Sequence, residues 1–181
     1  MSTTPPLPGD TASEDALHRM IRVDHAGEYG AVRIYAGQLA ALGDRRNAHL
    51  IAHMRAQEET HLAAFNALVA ERRVRPTALL PLWHVAGYAL GAATALMGER
   101  AAMACTVAVE EAIDAHYSEQ IERLPERENL LRGTLEKFRA DEREHRETAL
   151  AHDAEGAPGY RLLSAVIRTG CRVAIRLSER I

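Results

Sequence analysis

The chain has 181 residues, 47% of them hydrophobic and 26% charged, with a formal net charge of −3. That length and apolar share suit one compact domain with a continuous core and exclude a disordered chain, while the mixture of acidic and basic segments speaks against a nucleic-acid partner. Two cysteines, Cys105 and Cys171, stand far apart in apolar surroundings with no Cys-x-x-Cys, so they read as core or interface residues in a reducing compartment rather than as a disulfide, zinc or rubredoxin framework.

In chain order, the start "MSTTPPLPGDTASED" has prolines and acidic residues but no apolar run, which excludes a secretory signal and speaks against an Arg-rich transit peptide. Residues 1–14 are expected to form a flexible tail before a single domain over 15–181. Ala, Leu, Arg and Glu then dominate, and the punctuation falls where helices end: "LGD" at 42–44, "RPT" at 75–77, Pro125 and "EGAPG" at 155–159. A first helix is predicted over Asp15–Leu42 with Ser13 as N-cap, and a second over Asp44–Arg73 with Asp44 as cap. An apolar segment follows over Thr77–Met97. Two further helices are predicted over Glu99–Leu124 and Glu126–His152, and a last one over Tyr160–Arg180.

Two of these helices carry the same short pattern. "RAQEETH" runs from Arg55 to His61, and "RADEREH" from Arg139 to His145. Upstream of each lies a lone glutamate, Glu28 or Glu110, followed by Tyr at +7 (Tyr35, Tyr117) and Gln at +10 (Gln38, Gln120). The chain therefore reads as a duplicated helical hairpin, with the Thr77–Met97 segment as the crossover. Helical spacing puts Glu28 on one face with Ile21, Val32, Tyr35 and Leu39. Glu58 and His61 share a face with Met54, Leu62, Phe65 and Leu68, Glu110 with Met103, Val107, Ile113 and Tyr117, and Glu142 and His145 with Leu135, Phe138 and Ala149.

Four ionised carboxylates on apolar faces need positive charge, because an unpaired buried charge costs on the order of several kcal/mol. Two divalent ions would neutralise them. One lone Glu from each of two helices plus one Glu-x-x-His from each of two others is the ligand set of ferritin-like dimetal carboxylate bundles. The expected fold is thus all-α: a ferritin-like four-helix bundle from a duplicated helical hairpin, with an apolar crossover helix and an amphipathic C-terminal helix. Mixed oxygen and nitrogen ligands favour iron or manganese over thiolate-selected metals, and iron suits oxygen chemistry. The alternative is a surface salt-bridge pattern that happens to repeat.

The segments "RVDHAGEYGAVRIYAGQ", "QEETHLAAFN", "MACTVAVEEAIDAHY", "REHRETALAHDAEGAPGY" and "GCRVAIRLSERI" closely resemble the demethoxyubiquinone hydroxylase family, the di-iron monooxygenases of ubiquinone biosynthesis. The resemblance runs from about Arg19 to Ile181. It implies a di-iron monooxygenase that hydroxylates a polyprenylated demethoxyquinone or its quinol, with two irons per chain, O2 as co-substrate and NADH as external reductant. Carried over position by position, it makes Glu28, Glu58, His61, Glu110, Glu142 and His145 the metal ligands, with Glu58 and Glu142 bridging. It also suggests His116 and Tyr117 as a proton or electron relay; a packed Tyr with an edge His is the alternative. No G-x-G-x-x-G is present, so no Rossmann-type nicotinamide site is predicted. The family's eukaryotic members carry mitochondrial targeting extensions that this chain lacks, which points to the cytoplasmic face of a bacterial inner membrane.

Further residues have two readings each. Asp141 and Gln57, adjacent to the motif glutamates, read as partners holding the opposite histidine or as exposed helix residues. His25 and His152 read as structural. From Pro76 to Gly98 no Asp, Glu, Lys or Arg occurs, and Trp83 and Tyr88 suit a membrane interface. Interfacial insertion ranks first for this segment, burial against another subunit or a ubiquinone-biosynthesis partner protein second, and spanning third. Arg168, Arg172, Arg176 and Arg180 form a basic stripe opposite Leu163, Val166, Ile167, Val173 and Ile175, able to lie on anionic lipid or to serve as a solvated bundle face. A prenyl tail would enter from the crossover side, with Gly87 and Gly91 either letting it approach the backbone or serving close helix packing. Rival functions are a di-iron enzyme with another substrate and an iron-storage bundle; the missing Cys-x-x-Cys and the uncharged crossover disfavour them.

Overall fold

The structure, a computed structural model, describes residues 10–181. Six α-helices are found among them: α1 (Asp10–Leu42), α2 (Ala48–Glu71), α3 (Leu80–Leu96), α4 (Glu99–Arg123), α5 (Asn129–Ala151) and α6 (Tyr160–Ser178), with single 3-10 turns at Glu126–Glu128 and Ala154–Gly156. The hairpins α1–α2 and α4–α5 form the four-helix core; α3 lies along α1 and α6 along α4. No strand occurs among the described residues, so the all-α expectation holds.

The helix starts differ from the predicted ones. Helix α1 begins at Asp10, which puts Ser13 inside the helix instead of at its cap and makes residues 10–14 helical; the rest of the expected tail lies outside the described residues. Asp44 does not cap α2. Gly43 adopts φ 57 and its N–H returns to Leu39 O at 3.1 Å, ending α1 in a left-handed residue that only glycine adopts cheaply. One further turn, closed by Ala48 N–H to Arg45 O at 3.0 Å, is then spent before α2 starts after Asn47. Pro81 sits in the first turn of α3, where its missing N–H costs nothing.

Two apolar clusters occupy the two ends of the bundle. Ile21, Phe65, Tyr117, Leu135 and Phe138 pack at one end, and Tyr35, Ile51, Met54, Met103, Val107 and Ala149 at the other. Residues 101–110 of α4 are all buried. The single apolar stripe expected for this helix is therefore only its inner face: α3 and α6 cover the outer one, where Ala101, Ala104, Cys105 and Ala108 are small enough to let them close in. Around Ile34, Cys105, Ala108 and Val109 this outer layer receives Leu90 from α3 and Leu163, Ile167 and Cys171 from α6.

The crossover approaches α1 backbone to backbone. A Cβ on Gly91 would overlap the carbonyl of Ile34, and one on Gly37 would overlap the carbonyl of Tyr88. Gly87 sits over Gly30 O, which a Cβ would meet at 3.0 Å. Both crossover glycines thus serve close helix packing, and the alkyl path considered beside them is filled by α1. No helix among the described residues is long and apolar enough to cross a membrane, which removes the spanning reading of 76–98. Instead α3 and α6 turn apolar side chains outward: Val85 is 64% exposed, Leu96 74%, Leu162 72% and Val166 62%. Trp83 of α3 ties the two together by donating Nε1–H to Ser178 Oγ at 3.0 Å.

Of the basic stripe of α6, Arg172, Arg176 and Arg180 are exposed. Arg168 pairs with Glu111 of α4, and Arg172 and Arg176 line the cleft between α4 and α6. The apolar residues predicted to share one face divide instead, Ile167 packing inward and Val166 and Val173 facing out.

Candidate metal centre

At mid-height, between the two apolar clusters, α1 supplies Glu28, α2 Glu58 and His61, α4 Glu110, and α5 Glu142 and His145, each no more than 1% exposed. The i, i+3 spacing in α2 and α5 sends both side chains of each motif inward from one face. His61 Nδ1 lies 3.4 Å from Glu28, 3.8 Å from Glu58 and 3.2 Å from Glu142. His145 Nδ1 lies 3.2 Å from Glu58 and 3.3 Å from Glu142.

Each of the six has an outer anchor or an inner open atom, and the division is systematic. His61 Nε2–H donates to Asp141 Oδ2 at 3.0 Å, and His145 Nε2–H to Gln57 Oε1 at 3.1 Å. Both are cross-hairpin bonds, which fix the tautomer and turn each Nδ1 lone pair to the centre. Tyr35 donates to Glu110 Oε1 at 2.5 Å, and Tyr117 donates to Glu28 Oε1. The tyrosine of each half thus holds the lone glutamate of the other. His61 is stacked on Phe138 with ring centroids 3.9 Å apart.

What remains is a set of buried atoms without a hydrogen-bond partner: Glu28 Oε2, both oxygens of Glu58, His61 Nδ1, Glu110 Oε2, both oxygens of Glu142 and His145 Nδ1. Buried polar atoms are rarely orphaned, and eight that face one another form a donor set that cations would satisfy. They fall into two groups, Glu28, Glu58, His61, Glu142 and Glu58, Glu110, Glu142, His145, whose donor atoms lie within 4.8 Å of one another. Each group could hold one metal ion, and two carboxylates, Glu58 and Glu142, are common to both.

Electrostatics of the bare chain point the same way. Burial pushes the Glu58 and Glu110 carboxyls well above the usual carboxylate range, reinforced by the neighbouring Glu142, and burial also raises Glu28. At Glu142 burial is outweighed by the close approach of the His145 and His61 imidazoles, at 3.3 and 3.2 Å, which holds it down at about 2. Burial would lower His61, but Glu142 and Glu28 raise it to about 10. Without cations, the cluster balances its charge by keeping protons.

The repeated Arg55 and Arg139 lie outside this arrangement, pairing with Glu59 at 2.9 Å and Asp114 at 2.7 Å on the surface. His25 Nε2–H donates to Asn66 Oδ1 at 3.0 Å, and His152 Nδ1–H donates to Thr148 O at 2.7 Å, so both are structural. His116 is removed from the cluster: its Nε2 lies 2.8 Å from Gln120 Nε2 and 3.4 Å from Asp24 Oδ1. Asp24, buried one turn before Glu28, drew no attention in the sequence; its signal there was only an acidic residue on an apolar helix face.

A family model described as Ubiquinone biosynthesis protein COQ7 matches residues 15–178. The chain belongs to this family. It is 56% identical over 176 residues to a protein of Rhodospirillum rubrum named 3-demethoxyubiquinol 3-hydroxylase, covering 97% of this chain and 83% of the relative. It is 55% identical over 176 residues to a protein of Homo sapiens named NADPH-dependent 3-demethoxyubiquinone 3-hydroxylase, mitochondrial, covering 95% and 81%. A protein of Saccharomyces cerevisiae named 5-demethoxyubiquinone hydroxylase, mitochondrial, is 45% identical over 183 residues, covering 91% and 78%. The buried Glu and His cluster of this COQ7-family chain is thus the candidate centre of a hydroxylase.

Proposed function

We propose that this chain hydroxylates the ring of a polyprenylated demethoxyubiquinol, using O2 and an external nicotinamide reductant, at two irons held by Glu28, Glu58, His61, Glu110, Glu142 and His145. The observation that carries this reading is the convergence of eight unpartnered buried donor atoms into two groups that share Glu58 and Glu142. Iron bound there would supply the reduction of O2 that puts one oxygen atom on the ring and releases the other as water.

The chain's own residues do the rest. Asp141 and Gln57 aim the imidazoles, and Tyr35 and Tyr117 each tie down one oxygen of a lone glutamate so that the other stays turned inward. Ile21, Phe65, Met54, Met103 and Leu135, all fully buried above and below the cluster, keep water from it. His116 and Tyr117 would relay protons or electrons on the Glu28 side. The reductant is NADH by the sequence resemblance, while the human relative's name specifies NADPH; either serves as a two-electron donor. The outward apolar residues of α3 and α6 favour a lipid surface, from which a long-tailed quinol is reached, and the chain is read as a peripheral protein of the cytoplasmic face of a bacterial inner membrane.

The test is genetic and chemical together. In cells lacking their own demethoxyubiquinone hydroxylase, this chain should restore ubiquinone and deplete the demethoxy precursor. Glu142→Ala and His145→Ala should remain helical but lose activity and at least one iron per chain. An unchanged precursor pool with the intact chain, or full iron and turnover in both variants, refutes the reading.

A further inference from the structure

The repeat builds the two ends of the cluster from corresponding residues, Glu28 with Glu110, Tyr35 with Tyr117 and Gln38 with Gln120. In the same register Asp24 corresponds to Thr106, and His116 to Ile34. The end around Glu110 is neutral: Thr106 and Ile34 are buried, and Gln38 gives its amide N–H to Ala102 O at 3.0 Å. Around Glu28 an ionisable pair takes those places. Gln120 donates from Nε2 to Asp24 Oδ1 at 2.8 Å and lies 2.8 Å from His116 Nε2, which is 3.4 Å from the same Asp24 oxygen.

Two details set this pair apart from packing. Asp24 is 3% exposed, and its Oδ2 has no hydrogen-bond partner although it sits one helical turn from Glu28. His116 is partly exposed and floors the cleft of about 410 Å³ between α4 and α6. The scaffold closes at the equivalent place with Thr106 and Ile34, so the fold does not require a buried carboxylate here, and burying one is unfavourable unless it is paired.

We propose that Asp24 is a positioning residue that holds His116 as a proton-carrying group between the α4–α6 cleft and the Glu28 end of the cluster. The proposal rests on the hydroxylase reading. Hydroxylation takes up two protons with two electrons as one oxygen atom of O2 becomes water, and each proton that His116 releases is replaced from water in the cleft. The groups facing His116 are Asp24 from α1, Gln120 and Glu119 from α4, and Glu179, Arg172 and Arg176 from α6. Burial alone would make the imidazole less basic; the hydrogen bond and charge of Asp24, aided by Glu179 and Glu119, more than offset this, so the proton is kept to higher pH than in a free histidine. The arginines act the other way.

The experiment uses the whole chain in two forms. In protein loaded with zinc, nitrogen NMR should show His116 titrating above a free histidine, and Asp24→Asn should lower its midpoint by about one pH unit, a tenfold change in acid constant. In iron-loaded protein the alkaline limb of the kcat profile should move down by the same amount, with metal content and KM for the quinol unchanged. The double variant Asp24→Thr/His116→Ile, a copy of the neutral end, should bind two metals and melt no lower than the parent, yet lose at least about tenfold in kcat and lose the alkaline limb. An unmoved His116 midpoint in Asp24→Asn, or full kcat in the double variant, overturns the proposal. If no form hydroxylates demethoxyubiquinol, the hydroxylase reading fails, and the zinc-form titration still decides whether Asp24 governs His116.

Discussion

Removing metal from this protein should invert the way its stability responds to pH. In the metal-free fold, burial raises Glu28, Glu58 and Glu110 above their unfolded values, so each contributes stability that is full below the unfolded pKa and is lost as pH rises through the folded one. His61, raised to about 10, behaves likewise between its unfolded pKa of 6.5 and 10. Glu142, held at about 2, is ionised in both states above pH 5 and adds no slope there; its contribution disappears only as pH falls from its unfolded value of 4.5 toward 2. Between pH 6 and 8 the folded chain therefore carries extra protons, and each costs about 1.4 kcal/mol of stability per pH unit. One to three such protons give a decline of roughly 1.4–4 kcal/mol per unit. Metal binding displaces those protons, so in the loaded protein stability should be flat or rise over the same interval. Urea unfolding of chelated and loaded protein at pH 6, 7 and 8 measures both slopes, and calorimetric titration in buffers of different ionisation enthalpy counts the protons released. A chelated protein whose stability is flat or rises with pH would refute the account of how the bare cluster is tolerated. In the same assay Glu58→Gln, which removes a buried carboxylate shared by both groups, should stabilise the chelated form at pH 8 by about 1 kcal/mol or more.

Three further perturbations address the anchors, the crossover and the outer face. Asp141→Asn loosens the orientation of His61, and metal titration should show affinity reduced roughly 10–100-fold with the helix content unchanged. Gly91→Ala places a methyl against the Ile34 carbonyl; separating α1 from α3 should cost about 2–3 kcal/mol, a Tm decrease of roughly 5–10 °C by calorimetry, whereas Gly133→Ala, at a site with open space, should not destabilise. Loss that appears only as a raised KM for long-tailed substrate would instead return the tail path to those glycines. The chain should co-sediment with anionic liposomes, more weakly at high salt, and Val85→Asp with Val166→Asp should reduce binding at least tenfold, since each exposed side chain stands to bury roughly 1.5–2 kcal/mol of apolar surface. Lipid binding unchanged in that double variant would place the contact elsewhere.

What the amino-acid order determined by itself was the periodic part of the problem. A 3.6-residue period fixes which side chains share a face, so the sequence alone assigns two copies of Glu-x-x-His, each behind a lone Glu, to the interior of a duplicated helical hairpin. The same logic offered Gln57 and Asp141 as partners of the opposite histidines, with exposed helix residues as the alternative, because residues adjacent to an inward ligand lie at the edge of the helix interface; the structure decided between the two. Periodicity is silent on partners across helices. Only tertiary structure crossed Tyr35 to Glu110 and Tyr117 to Glu28, sealed α4 on both sides, pressed Gly91 against α1 and turned Arg172 and Arg176 toward the α4–α6 cleft. Helix starts escaped for a related reason: Asp44 and Ser13 are good caps by residue type, but the starting point of α2 is set by where Gly43 lets the chain turn. Asp24 was invisible because an acidic residue on a helix has a low cost in sequence, and its meaning comes from burial beside His116 at one end of a repeat whose other end holds Thr106 and Ile34.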